Sequence, residues 1–165
     1  MLMHRIVSGL LMLCFLVSCT SNYYFVRHAE RANNTADTPL SLEGQQRALA
    51  LRDSLKDKGI DHIFATIYLR TQQTAIPLSE EIGIPLTIYH PDTTQQFVNR
   101  LKKIRKKDVL VVGHSNTVPE MVLLMTGDTV EVGHDDYDNL FKVSISKSLF
   151  GTRTRLKKLH YGQPD

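Results

Sequence analysis

Three short stretches carry side chains suited to gripping a multiply charged anion. They are Arg27-His28-Ala29-Glu30, Arg70 within Tyr68-Leu69-Arg70-Thr71-Gln72-Gln73-Thr74-Ala75, and Gly113-His114-Ser115-Asn116. An arginine offers a planar fork of donors matched to phosphate oxygens and stays charged at any working pH. A neutral imidazole among such groups can attack phosphorus and hold the phosphoryl group covalently. Fixed positive charge around it would stabilise the equatorial oxygens of the transition state. The chemistry these residues offer is phosphoryl transfer, provided the chain brings them together.

The surrounding pattern says that it does. Tyr23-Tyr24-Phe25-Val26 reads as a buried strand that runs straight into Arg27. After a polar loop over Asn33 to Pro39, Ser41 is placed to cap a helix with Glu43 in its first turn. Ala48, Leu51 and Leu55 mark the apolar stripe of that helix, and Gly59 its end. Ile63-Phe64-Ala65 is a second strand, Thr71 to Ile82 a helix closed by Gly83, and Pro85 to Tyr89 a third strand. Thr93 to Lys107 reads as helix, with Phe97, Leu101 and Ile104 on one face. The apolar run Asp108–Gly113 belongs at the centre of a parallel sheet. A helix over Val118 to Met125, a polar loop through Asp138 and two antiparallel strands, Leu140–Ser146 and Thr152–Leu159, complete the chain.

Strands alternating with helices predict a three-layer α/β/α sandwich with a mainly parallel central sheet. Residues just beyond the C-terminal ends of such strands converge on one crevice. Helix N-termini there add backbone N–H donors.

Over residues 23–162 the chain resembles the histidine phosphatase, or phosphoglycerate mutase-like, superfamily. Arg27, His28 and Glu30 match its Arg-His-Gly-Glu signature, with Ala29 in place of the glycine. Asn34 falls on the asparagine that follows the nucleophile, and Leu40-Ser41-Leu42-Glu43-Gly44-Gln45-Gln46-Arg47 on the family's helix start. Arg70 to Ala75 and Gly113-His114 match the remaining elements. The resemblance implies a phosphoglycerate mutase-like fold and a phosphohistidine formed on His28. It also implies that Arg27, Arg70 and His114 bind the phosphoryl oxygens, with help from Asn34 and support from Glu30 and Ser115, and that no metal or other cofactor takes part. One branch of the family carries an acid directly after the second histidine, where this chain has Ser115. The other draws a carboxylate from the segment after the third strand, which makes Asp92 the candidate leaving-group acid. Glu120, Asp135 and the absence of a dedicated acid are the alternatives.

The other histidines divide. His62 and His160 read as hydrogen-bonded core residues, while His90 and His134 lie on expected rim loops. The segment Gly133 to Asn139 is either a cover for the crevice or a solvated loop.

Composition bounds what remains. The 165 residues suffice for one domain, and 42% apolar with 22% charged residues excludes disordered and fibrous classes. A net charge of +3 is no nucleic-acid footprint. Residues 1–18 read as a lipoprotein signal peptide, with His4 and Arg5 ahead of the apolar run Ile6 to Val17. Leu16-Val17-Ser18-Cys19 resembles the bacterial lipobox, which implies acylation of Cys19 and an exported protein anchored in the cell envelope. A plain cleaved signal and an uncleaved anchor are the alternatives. On the lipoprotein reading residues 19–22 are the lipidated cysteine and a short tether, 23–162 the catalytic domain and 163–165 a tail. Cys14 leaves with the leader, so no thiol is left for a disulfide.

Three residues of tether span about 10 Å at most, which puts the attachment at the N-terminal edge of the strands. The cations Arg100, Lys102, Lys103, Arg105, Lys106 and Lys107, with Lys56 and Lys58, would share that edge and face a membrane. They are otherwise a solvated helix end. The expected activity is metal-independent hydrolysis of a small or peptide-borne phosphate. A phosphoglycerate mutase-type transfer and a non-catalytic phosphate- or polyanion-binding lipoprotein are the alternatives.

Overall fold

The structure, a computed structural model, describes residues 19–164. The expected leader and the lipobox residues ahead of Cys19 lie outside them. Six strands form one sheet: β1 (Cys19–Arg27), β2 (Ile60–Thr66), β3 (Leu86–Tyr89), β4 (Asp108–Gly113), β5 (Asn139–Ser148) and β6 (Gly151–His160). Their order is β3-β2-β4-β1-β5-β6, with β3, β2, β4 and β1 parallel and the β5–β6 hairpin antiparallel at one side. Among the described residues four α-helices cover it: α1 (Leu42–Leu55), α2 (Leu69–Ile82), α3 (Thr94–Leu101) and α4 (Thr117–Thr126).

Alternation along the central strands fills both faces. Tyr23, Phe25, Val109 and Val111 point to one side, where Phe97 and Leu101 of α3 and Met121 and Val122 of α4 close a core. Tyr24, Val26, Leu110 and Val112 point to the other, against Leu51 and Leu55 of α1 and Ala75 and Leu78 of α2. This is the expected three-layer sandwich. Ser41 caps α1 as its sequence predicts, its Oγ accepting from the Gly44 N–H at 3.1 Å. No helix among the described residues is long and apolar enough to cross a membrane.

Two elements differ from expectation. Cys19 to Asn22, read as a tether, continue β1, with Cys19 opposite Lys147 and Asn22 opposite Ser144. Polar contacts hold this extension where the apolar signal is missing. The Asp108 carboxylate accepts from the Asn22 backbone at 3.1 Å and from its side-chain amide at 2.9 and 3.0 Å. Ser21 Oγ accepts from the Lys106 N–H at 2.8 Å. The helix expected through Lys107 stops at Leu101, because the Tyr23 hydroxyl reaches the carbonyls of Leu101 and Ile104 at 3.0 and 2.8 Å. Lys102 to Lys107 therefore form a turn and loop in which Lys106 takes a left-handed φ of 57°.

Candidate active site

Strands β1 and β4 lie side by side, and the chain leaves them in opposite directions. After β1 it crosses to α1 on one face, and after β4 to α4 on the other. This divergence opens a crevice beyond the strand ends. Arg27 stands opposite Gly113 at the last rung, and the His28 N–H donates to the Gly113 carbonyl at 2.9 Å. His28 and His114 thus sit one residue past neighbouring strands, their rings 5.5 Å apart and edge-on.

The turn after His28 is tightly built. Glu30 faces away from the crevice, its Oε1 accepting from Arg47 Nε at 2.7 Å in a largely buried ion pair. A Cβ on Gly44 would collide with the Glu30 carbonyl oxygen, so α1 approaches this turn only because that residue is glycine. The Ala29 N–H donates to Thr74 Oγ1 of α2 at 2.9 Å. Glu30 is therefore part of the support under the His28 loop.

Both histidines have an assignable tautomer. His28 Nδ1 lies 2.7 Å from the Ala29 carbonyl, which can only accept, so Nδ1 carries the proton and Nε2 keeps its lone pair. For His114, Thr71 Oγ1 donates to the Tyr68 carbonyl at 2.7 Å, and Thr66 Oγ1 lies 2.8 Å from Thr71 Oγ1. Thr66 then donates to Thr71 and accepts from His114 Nε2 at 3.0 Å, which turns the lone pair of Nδ1 toward Arg70 Nη2 at 3.5 Å. Burial, opposed by the bond to Ala29 and reinforced by Arg27, His114 and Arg70, pushes the His28 pKa down to about 3. Burial and the two arginines push that of His114 down to about 4. Both imidazoles are neutral near pH 7.

The arginines are fixed from behind. Arg27 Nη1 donates to the carbonyls of Gly133, His134 and Asp136 at 2.8, 2.6 and 3.2 Å, and its guanidinium lies 4.1 Å over the Tyr137 ring. Arg70, at the start of α2, donates to the Ala36 carbonyl at 2.7 Å and stacks on Tyr68. Each buries an Nε that has no hydrogen-bond partner. Burial lowers the pKa of both guanidiniums, the cost of gathering cations in one place.

The resulting cavity, of about 370 Å³, is lined by Arg27, His28, Arg70, Asp92, His114 and Ser115, all expected from the sequence. Arg31, Tyr68, Asn116, Thr117 and His134 also line it. Arg31 sits three residues past His28 and is held there by a bridge to Leu40. Its short distance in sequence from His28 is the one sequence feature that marks it. Asn34, expected to help bind the phosphoryl oxygens, is instead exposed on the loop that Asn33 and Thr35 close on themselves and does not line the cavity.

Asp92 is the only carboxylate among the lining residues, on a short 3₁₀ turn (Pro91–Thr93), with its Oδ2 3.4 Å from His90 Nδ1. Glu120 and Asp135 lie outside the lining, and all three carboxylates are exposed. The loop from Gly133 does border the crevice, through His134 and the carbonyls that bind Arg27. His62 and His160, expected in the core, are exposed instead. His62 stacks beside Phe64, and His160 Nδ1 lies 2.9 Å from Asp138. Among the described residues no three His, Cys, Asp or Glu side chains group to hold a metal ion.

The fold and crevice define a phosphoglycerate mutase-like α/β protein with paired histidines and arginines at its strand ends. Residues 23–91 match the family model of the histidine phosphatase superfamily (branch 1). A probable phosphoglycerate mutase of Enterobacter sp. (strain 638) is 33% identical over 72 residues, which is 39% of this chain and 34% of that protein. The chain thus spans about a third of the length of the curated relatives it matches.

Solved structures extend the likeness in fold across the whole domain. A mycobacterial glucosyl-3-phosphoglycerate phosphatase superposes with a TM-score of 0.70 at 12% identity, over 87% of this chain and all of that one, 100%. The protein histidine phosphatase SixA, solved with tungstate, gives 0.64 at 16% identity over 84% of this chain and 96% of that one.

Proposed function

We propose that this protein is a phosphatase that hydrolyses phosphomonoesters or phosphoramidates through a phosphohistidine on His28. The observation that carries the reading is the state of that imidazole. It is neutral, its proton is held on Nδ1 by the Ala29 carbonyl, and its free Nε2 belongs to a cavity lined by three arginines. A neutral nucleophile in a cationic cavity suits a phosphate dianion.

In the first step His28 Nε2 attacks phosphorus and the ester bond breaks. The leaving oxygen takes a proton from Asp92, the lining carboxylate. In the second step water attacks the phosphohistidine, Asp92 takes its proton back, and inorganic phosphate leaves with His28 restored. Arg27, Arg31 and Arg70 supply donors to the equatorial oxygens. His114 Nδ1 becomes a further donor once a bound dianion makes its protonation favourable.

Aryl phosphate turnover in the presence of chelator, compared with His28→Ala, tests this reading. Phosphate release by the wild type that is lost in the variant supports it. A folded wild type that releases none overturns it. The names of the curated relatives favour a second reading, transfer of the phosphoryl group to another hydroxyl instead of water. Retention of the label on an added acceptor alcohol distinguishes the two. The leader and Cys19 support a location in the bacterial envelope, where the substrate would be an exported or external phosphate.

A further inference from the structure

The edge of the sheet opposite the crevice carries an unusual combination of residues. At the tip of the β5–β6 hairpin Leu149 and Phe150 are 85% and 93% exposed, the most exposed large apolar side chains described. Burial of either would be favourable, and nothing in the domain buries them. The β5–β6 face behind the tip holds a cleft lined by Lys142, Arg153, Arg155 and Lys157 with only hydroxyl residues between them. Lys142 and Lys157 stand directly opposite each other across the two strands. Like charges so placed are unfavourable in an isolated sheet. Among the described residues none of these four cations has a carboxylate partner. On the other side of the tip, Lys102, Arg105, Lys106 and Lys147 line a second cleft with Ser148. Arg153, opposite Ser146, and Lys147 are the cations of these strands nearest the apolar tip, and Arg155, Lys157 and Lys142 run back from it as a stripe along the hairpin.

The chain reaches this same edge from its other end. Cys19 is paired with Lys147, and Ser148 with Gly151, so the apolar run Ile6 to Val17 joins the domain one rung from the hairpin turn. We infer that the β5–β6 hairpin is a membrane-docking element: Leu149 and Phe150 enter the interface of an anionic bilayer while the surrounding lysines and arginines engage its phosphate headgroups. An apolar tip with cations close behind it combines the two contributions to interfacial binding, buried apolar area and attraction to anionic lipid. A soluble polyanion would satisfy the cations but would leave Leu149 and Phe150 in water. The docked edge and the catalytic crevice lie at opposite ends of β1. Eight steps of strand at about 3.3 Å each put Arg27 roughly 26 Å from Cys19, clear of the headgroups. The basic loop after α3, expected at this edge from the sequence, adds its cations beside the hairpin tip through the cleft it shares with Lys147 and Ser148.

The sequence contains no tryptophan, so a single one reports its own surroundings. The test uses the full chain carrying Phe150→Trp, reconstituted in phosphatidylcholine vesicles with and without phosphatidylglycerol, with bromine on the acyl chains. The proposal predicts a blue-shifted emission, quenched by the bromines in the anionic vesicles and relieved by salt. Leu42→Trp, 78% exposed at the start of α1 on the catalytic edge, should stay unquenched. Adding Lys147→Gln and Arg153→Gln, the strand cations nearest the tip, should lower the docked-to-undocked ratio roughly twenty-five-fold, about fivefold per cation near an anionic surface. Phe150→Trp that stays unquenched in anionic vesicles overturns the proposal. Quenching equal to that of Leu42→Trp does so too, as does an emission shift that soluble polyphosphate reproduces in full.

Discussion

Lowering the pH should unfold this protein through its two site histidines. His28 and His114 are held neutral in the native state, with pKa values near 3 and 4, whereas an unfolded histidine titrates near 6.5. Between those values the unfolded chain binds protons that the native chain does not. Their neutral burial is therefore without penalty above about pH 6.5, and stability falls as the pH drops toward the native pKa values. At pH 4.5 each histidine costs roughly 2 to 3 kcal/mol, so the pair costs about 5 kcal/mol. That is a large part of the total stability of a domain this size, about 5 to 15 kcal/mol. Titrating carboxylates contribute as well, so the difference between proteins is the informative quantity. Urea unfolding at pH 7 and pH 4.5 should show the wild type losing about 5 kcal/mol more than His28→Gln/His114→Gln. Saturating phosphate should reduce that excess, because a bound anion raises both native pKa values. An equal loss in wild type and double variant would refute the assignment of two buried neutral imidazoles.

Three other substitutions probe separate parts of the site. Arg70→Ala should lower kcat/KM roughly a hundredfold or more, as loss of one oxyanion donor does, and Arg70→Lys should restore only part of it. Steady-state kinetics on one aryl phosphate checks both. Gly44→Ala should destabilise the fold by about 1 to 3 kcal/mol, since the added methyl meets the Glu30 carbonyl, and a urea titration reads this directly. Asp92→Asn should slow alkyl phosphates about a hundredfold and leave nitrophenyl phosphate nearly unchanged, because a good leaving group needs no proton. Equal loss on both substrates would remove Asp92 from the acid's role.

The central part of this fold was legible because local pattern and tertiary position agree there. The two-residue alternation of Tyr23 to Val26 and Val109 to Val112 fills two cores at once, and Ser41 caps α1 by a contact three residues away. Residues just past those strands had to meet. What escaped depends on partners distant in sequence. The polar start of β1 is strand because Asp108 binds Asn22, and α3 ends early because the Tyr23 hydroxyl caps its carbonyls. The clamp on Arg27 comes from carbonyls more than a hundred residues away, at Gly133, His134 and Asp136, which no periodicity announces. Asn34 shows the opposite failure: correct spacing from His28 did not place it, because its loop folds onto Asn33 and Thr35.

The central claim is that His28 Nε2 carries the phosphoryl group. Rapid mixing of the protein with phosphorus-labelled aryl phosphate, quenched in alkali and followed by peptide mapping, tests it most directly. The account predicts an alkali-stable, acid-labile label on the peptide containing His28, formed at least as fast as turnover and absent from His28→Ala. Turnover without that label, or a label mapped to His114, would contradict it.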